Sequence, residues 1–402
     1  MIGINRYFAC TCNPGYTGAY CSIAICAGNC NYAGTCSAPN TCSCFRGRMG
    51  ANCSVDCGCG GHGTCNPDGT CLCDTGFTYN STSRKCEYSC FGQASSNCYG
   101  PNLISCSAGC IGGTCNNGTC ACWPGFSGAD CSTEISVNYV NANLGINLGG
   151  LSYWSTQHLF KDYFKQSSQW IPQYYPGYFN GSIAYTWNTS EYFPTQSNGY
   201  PASLYANQSV AKLLLRDINL HYPSINQTND YVLLYDGDGV MQLGFDAASY
   251  EYSAGRIRFR VTPSTVRDNG VYVRLIQTNP ANPVKNIRVV LSRDEYNFEK
   301  DLLSGNFMTF MGQFSTIRFM DLLGTNGSPV QEWNQTTRAD QDTQAMPSGI
   351  SIELLAKIIR RTGRNAWINI PHLASNDYVT KLAQYLKANI SSNRLIYIEY
   401  SN

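Results

Sequence analysis

All 23 cysteines of the chain fall between Cys10 and Cys131, and residues 132–402 contain none. Cysteine this dense is common in secreted modules too small to build an apolar core, and rare in a reducing cytosol. The sequence therefore predicts two unlike parts, a front third stapled by disulfides and a longer cysteine-free body. Zinc is the competing use of clustered cysteine. The spacing argues against it, because CxC and Cx3C recur and His62 is the only histidine among them, whereas zinc modules bring paired CxxC or histidine ligands. No metal is expected here.

The spacings repeat. Cys26, Cys30, Cys36, Cys42, Cys44 and Cys53 read Cx3Cx5Cx5CxCx8C; Cys57, Cys59, Cys65, Cys71, Cys73 and Cys86 read CxCx5Cx5CxCx12C; Cys106, Cys110, Cys115, Cys120, Cys122 and Cys131 read Cx3Cx4Cx4CxCx8C. Six cysteines allow 15 pairings, and spacing alone does not choose among them. With the CxC in each unit and a Gly-Phe/Tyr-x-Gly turn at Gly15-Tyr-Thr-Gly18 and Gly125-Phe-Ser-Gly128, residues 10–131 resemble tandem EGF-like modules. That resemblance implies first-to-third, second-to-fourth and fifth-to-sixth pairing: Cys26–Cys36, Cys30–Cys42, Cys44–Cys53, then Cys57–Cys65, Cys59–Cys71, Cys73–Cys86, then Cys106–Cys115, Cys110–Cys120, Cys122–Cys131. No Asp/Asn-x-Asp/Asn-Glu precedes any unit, so the calcium-binding subtype is not expected. Cys90 and Cys98 are left as a local pair. Cys10, Cys12 and Cys21 match only the last three positions of a unit; Cys12–Cys21 can pair, and the partner of Cys10 is expected upstream of Met1, in a longer protein. The module boundaries expected are 1–21, 22–54, 55–87 and 88–132.

Charge adds exclusions. Lys+Arg 27 against Asp+Glu 26 leaves a net charge of +1, which offers no electrostatic attraction to nucleic acid or an anionic membrane. With 43% hydrophobic residues, 28 Tyr and only 13% charged, the chain has the composition of a folded protein, not a disordered one. No apolar run approaches the ~20 residues that span a bilayer, and no charged and then apolar leader opens the sequence. Asn-x-Ser/Thr acceptors occur at Asn52, Asn80, Asn117, Asn180, Asn188, Asn207, Asn226, Asn326, Asn334 and Asn389. With the cysteines they predict an extracellular glycoprotein, either secreted or at the cell surface.

From residue 133 the pattern changes. Leu144–Gly150 reads as a short apolar strand and His158–Ser168 as a helix, with Leu159, Phe160, Tyr163 and Phe164 on one face. Within a β-rich insertion of about 200–292, period-two alternation predicts antiparallel strands, with Asp236-Gly-Asp-Gly239 as a hairpin turn. That turn lacks the remaining ligands of a calcium loop. Arg256, Arg258 and Arg260 share a strand face that would either grip acidic sugars or simply be solvated. Beyond Ser292 the sequence alternates: strand at Thr316–Met320, helix at Ile350–Thr362 stopped by Gly363, strand at Ala366–Ile370, helix capped by Asn376 and running to Ala388, strand at Leu395–Glu399. Strand and helix in alternation predict a parallel sheet. The fold expected is multidomain, small disulfide-rich modules followed over 133–402 by an α/β body, half of a TIM-type barrel, with an inserted antiparallel β subdomain.

Arg318-Phe-Met-Asp321, Asn369-Ile-Pro-His372-Leu-Ala and Ile398-Glu-Tyr-Ser-Asn402 resemble the clan-A retaining glycoside hydrolases built on the (β/α)8 barrel, over about 140–160 and 300–402. The resemblance implies Arg318, Asp321, His372 and Asn402 at the rim, with the acid glutamate directly after Asn402 and the nucleophile on a later strand. Residues 1–402 are thus expected to hold no complete catalytic set, since retaining hydrolysis needs two carboxylates about 5–5.5 Å apart. Glu399 is not expected to substitute, because alternation puts it and Asn402 on opposite faces. The alternative roles are a structural ion pair for Arg318 and Asp321, and a hydrogen bond from His372 to a loop backbone. Trp154 and Trp333 are candidate sugar-stacking platforms, while Trp367, in mid-strand, is expected in the core.

Two functions follow. One is an extracellular structural or adhesive glycoprotein, a filament, matrix or stalk component resembling in architecture the mastigonemes of algal flagella, whose barrel-like domain packs or binds carbohydrate. The other is a secreted hydrolase of a β-linked polysaccharide. Expected partners are carbohydrate or other extracellular glycoproteins, including further copies of the chain; no cofactor and no nucleic acid are expected.

Overall fold

The computed structural model describes residues 11–17, 21, 23–74, 77–88, 113–116, 119–122, 126–134, 144–155, 157–174, 187–216, 229–264, 270–295, 298–299 and 301–400. Packing divides the chain into two compact units. The first comprises residues 1–88, 169–213 and 227–287, and the second 89–168, 214–226 and 288–402.

In the first unit, disulfides join Cys12–Cys21, Cys26–Cys36, Cys30–Cys42, Cys44–Cys53, Cys57–Cys65, Cys59–Cys71 and Cys73–Cys86. Each complete module is a hairpin, Gly34–Ala38 against Thr41–Cys44 and Gly63–Cys65 against Cys71–Cys73. Alternation along a strand explains the CxC: Cys42 and Cys44 face the same side while Ser43 faces out, as do Cys71 and Cys73 around the exposed Leu72. The cores are sulfur: Cys26, Cys30 and Cys53 are buried with Ala33, and Cys57, Cys59 and Cys86 together. Glycine opens both hairpins because a Cβ at Gly34 or Gly63 would lie 2.5 Å from the carbonyl oxygen of Ser43 or Leu72.

The rest of this unit is antiparallel sheet. Its strands are β2 (Ile171–Tyr174), β3 (Gln208–Leu214), β4 (Asn229–Asp236), β5 (Gly239–Phe245), β6 (Ala247–Ser253), β7 (Arg256–Val261), β8 (Val271–Thr278) and β9 (Lys285–Leu291), with β1 (Gly145–Asn147) preceding them in the second unit. They form two four-stranded sheets, in the orders β2-β3-β8-β5 and β6-β7-β4-β9. The strand-rich region thus begins at Ile171, earlier than the expected 200. The Asp236–Gly239 turn does not close a hairpin: β4 and β5 belong to different sheets, so the chain changes sheet there. The arginines of β7 are paired with acids, Arg256 buried and Arg260 half exposed. Arg256 and Arg258 both reach Glu251 (3.3 and 3.5 Å) and Arg260 reaches Asp230 (3.1 Å), because strand register sets these acids beside them.

The first modules dock on β6. Arg46 pairs with Asp74 of the second module and lies 2.7 Å from Glu251. Its backbone N–H donates to the Tyr252 carbonyl at 3.1 Å, and Phe45 stacks on Tyr252 with ring centroids 6.3 Å apart.

In the second unit, the Cys122–Cys131 disulfide is present and Cys120 is also disulfide-bonded. Cys10, Cys90, Cys98, Cys106 and Cys110 lie outside the described residues, as does the side chain of Cys115. The main body is a four-stranded parallel sheet in the order β1-β10-β11-β12, with β10 at Thr316–Arg318, β11 at Asn365–Ile370 and β12 at Ile396–Tyr400. Helices α1 (Gly305–Met311), α2 (Ile352–Thr362) and α3 (Asn376–Asn389) accompany it, each N-capped by a serine hydroxyl, Ser304, Ser351 and Ser375. The cap of α3 is thus Ser375, one residue before the Asn376 expected. Gly363 ends α2 in the left-handed conformation, φ 65°. Leu148, Ile317, Phe319, Ala366, Ile368 and Ile370 form one core with Leu354, Leu355, Ile358 and Ile359 of α2 and Tyr378, Leu382 and Leu386 of α3.

The helix expected at 158–168 is absent. Residues 159–161 are extended against 302–304, through Lys161 N–H to Leu302 O (2.9 Å) and Ser304 N–H to Leu159 O (2.8 Å). Only a short 3₁₀ turn, Tyr163–Gln166, follows, capped by Asp162. A partly apolar spacing that suits a helix is overridden by a distant strand. Beside it, Asp301 receives Lys161 Nζ at 2.9 Å and Arg361 Nε at 2.8 Å in a nearly buried triad. Among the described residues no helix is long and apolar enough to cross a membrane.

Candidate functional site

The two faces of the parallel sheet differ by strand alternation. Ile146, Ile317, Ala366 and Ile396 align across the four strands on the core side. One residue on, Asn147, Arg318, Trp367 and Tyr397 align, and Asn369 pairs with Glu399 further along. This second face is polar and aromatic.

Glu399 is its hub. Arg318 donates to it from Nε at 3.2 Å and from the terminal nitrogen to both oxygens at 2.8 and 3.0 Å, and the Trp367 indole N–H donates at 2.7 Å. The Arg318 guanidinium also lies over the Trp367 ring, 5.3 Å from its centroid, and Tyr397 sits beside that ring at 6.4 Å. The Asn369 carboxamide, 1% exposed, makes no hydrogen bond of good geometry, yet it is near enough to Glu399 to favour the charged carboxylate. The Arg318 hydrogen bonds hold Glu399 below the usual carboxylate range, with smaller help from Asn369 and Trp367 and against partial desolvation. A carboxylate held ionised in this way does not donate protons at neutral pH.

Two expectations are corrected here. Arg318 does not pair with Asp321: its partner is Glu399, 81 residues on, while Asp321 accepts from Asn147 Nδ2 at 2.7 Å. Trp367 is not core; it is 40% exposed on the polar and aromatic face of the sheet. Of the stacking candidates, Trp154 is 55% exposed and makes an edge contact with Tyr153. Trp333 instead packs against Tyr378 and Tyr385 of α3, which engages its ring in the fold. His372 is exposed just after β11, and Asn402 lies outside the described residues. Glu399, Trp367 and Tyr397 were missed as a group, although separating odd from even positions in the strands would have placed them on one face.

Where metal-like spacing occurs, sulfur accounts for it. The sulfurs of Cys26, Cys30 and Cys42, and of Cys59, Cys71 and Cys86, lie close together, but all six are disulfide-bonded and offer no thiolate. Of the expected sugar acceptors, Asn52, Asn188, Asn207, Asn326 and Asn334 are exposed and Asn80 and Asn389 half-buried; Asn117, Asn180 and Asn226 lie outside the described residues.

No family model and no solved structure matches the chain. Stretches of it are similar to known extracellular-type proteins: 43% identical over 54 residues to human fibrillin-3, 43% over 44 residues to mouse hedgehog-interacting protein, and 50% over 42 residues to anterior pharynx in excess protein 1 of Caenorhabditis elegans. These cover 13%, 11% and 10% of this chain, and only 2%, 6% and 8% of the relatives. The N-terminal part of the chain is built of disulfide-rich modules of the EGF-like type, and its disulfides mark it as an extracellular protein.

Proposed function

We propose that the chain is an extracellular structural or adhesive glycoprotein whose parallel-sheet body binds carbohydrate rather than cleaving it. The observation that carries this reading is the state of Glu399, ion-paired to Arg318 and bonded by Trp367. It leaves an aromatic and hydrogen-bonding face suited to a pyranose ring. The similarity to fibrillin-3 supports a matrix setting. Retention of the secreted protein on insoluble β-linked polysaccharides, lost in Trp367→Ala without release of reducing sugar by either form, is the expected result. Equal retention of both forms would overturn it.

A second reading is a retaining glycoside hydrolase. The sequential parallel order β1-β10-β11-β12, with Arg318 on the second strand and His372 after the third, favours it. Reducing sugar released from a β-glucan would decide for this reading.

A further inference from the structure

A cleft of about 480 Å³ opens within the first unit, lined on one side by Asn29, Tyr32 and Thr35 of the first complete module and on the other by Gln277 of β8 and the turn holding Tyr205 and Asn207. That volume is in the range of about 300–1,000 Å³ that accommodates small ligands. The turn is fixed. Gln208, 4% exposed, donates its backbone N–H to Tyr205 O at 3.1 Å, accepts the Tyr205 N–H on its side chain at 3.2 Å and donates to Tyr192 O at 3.1 Å. Asn207 takes the left-handed conformation, φ 61°, which asparagine tolerates. Two positions earlier Tyr205 holds its ring 56% exposed at the same cleft.

Asn207-Gln-Ser209 is a sugar acceptor, and its serine is informative. Ser209 is fully buried and accepts from Arg274 Nε at 2.9 Å. A transferase that must reach this hydroxyl can act only before β3 is assembled, so the fold forms with the sugar already in place.

We propose that Asn207 carries an N-linked glycan whose first sugar residues occupy this cleft, with the N-acetylglucosamine ring stacked on Tyr205. In the transfer, Asn207 Nδ2 bonds to the anomeric carbon as the bond from that carbon to the pyrophosphate of a lipid-linked oligosaccharide breaks. The carboxamide gives up one proton and the lipid pyrophosphate leaves. An apolar pyranose face suits the exposed tyrosine ring, and Asn29, Thr35 and Gln277 supply partners for hydroxyl and acetamide groups. The inference rests on the reading of the chain as an extracellular glycoprotein and goes beyond it, making one glycan part of the fold.

The test is site-resolved mass spectrometry on the full chain from a glycosylating secretory host, treated with peptide-N-glycosidase. Under native conditions the Asn207 glycan should be released at least tenfold more slowly than that of Asn188, and both equally fast after reduction and denaturation. Tyr205→Ala should bring the native Asn207 rate up to that of Asn188. Equal native rates in the unaltered protein, full protection in Tyr205→Ala, or an unmodified Asn207 beside a modified Asn188 would each overturn the proposal alone. Absence of glycan from every acceptor would overturn the glycoprotein reading with it.

Discussion

Asp301→Asn removes the one anion of the triad and leaves Lys161 and Arg361 facing each other. The side chains of Asp301, Lys161 and Arg361 are 10%, 9% and 13% exposed, so water does little to screen the two cations. Removing one partner from a buried ion cluster costs about 3–5 kcal/mol. With a urea slope of about 2 kcal/mol/M, that lowers the unfolding midpoint by about 1.5–2.5 M. Every α-helix among the described residues lies in the second unit, so ellipticity at 222 nm, without reductant, follows this body. Burial acts to raise the Asp301 carboxyl, but the hydrogen bonds and charges of Arg361 and Lys161 outweigh it and hold the group below its ordinary value. A folded-state value below the unfolded one, about 3.9, gives stability that is complete well above that pH and lost as pH falls through the folded value. The gap between variant and unaltered midpoints should therefore be constant from pH 6 to 8 and shrink below pH 4. Coincident midpoints at pH 7, or a gap unchanged at pH 3, would refute the assignment of the triad.

The emission of Trp367, isolated by comparison with Trp367→Phe, should titrate with Glu399 at a midpoint below the ordinary glutamate value of about 4.3 and move upward in Arg318→Ala; a midpoint at or above 4.3 in the unaltered protein contradicts the ion pair. Reduction with thiol blocking should raise hydrogen exchange in β6 and β7, which lean on Phe45 and Arg46, while α2 and α3 keep their protection; equal deprotection of both regions would disprove the separate packing. Gly349→Ala should be destabilising. Its φ of 71° alone costs about 1–3 kcal/mol for a side-chain-bearing residue, and a Cβ there would lie 2.1 Å from the Leu323 carbonyl carbon. A thermal midpoint equal to that of the unaltered protein would count against this backbone path.

Local physics explains what could be read in advance. Cysteine spacing marks the modules because sulfur is their core, and α2 is visible because Leu354, Leu355, Ile358 and Ile359 share a face between Ser351 and Gly363. What escaped is long-range. Residues 158–168 lost their helix to a partner some 140 residues away, and the sheet change at Asp236–Gly239 is invisible in a turn motif that also closes hairpins. The polar sheet face was seen in pieces: Arg318 was recognised, but its nearest acid in sequence, Asp321, was weighed as partner where the fold supplies Glu399.

Strand β6 is the outermost strand of its sheet, and its free border is where Phe45 and Arg46 bind. An outermost strand with bare amides and carbonyls invites pairing with a second molecule. The disulfide-stapled loop thus serves as a stopper on an adhesive rim. Its consequence is one of timing: until sulfur oxidation shapes that loop, the newly made chain is prone to stick to its neighbours, and a version made without the front modules should polymerise.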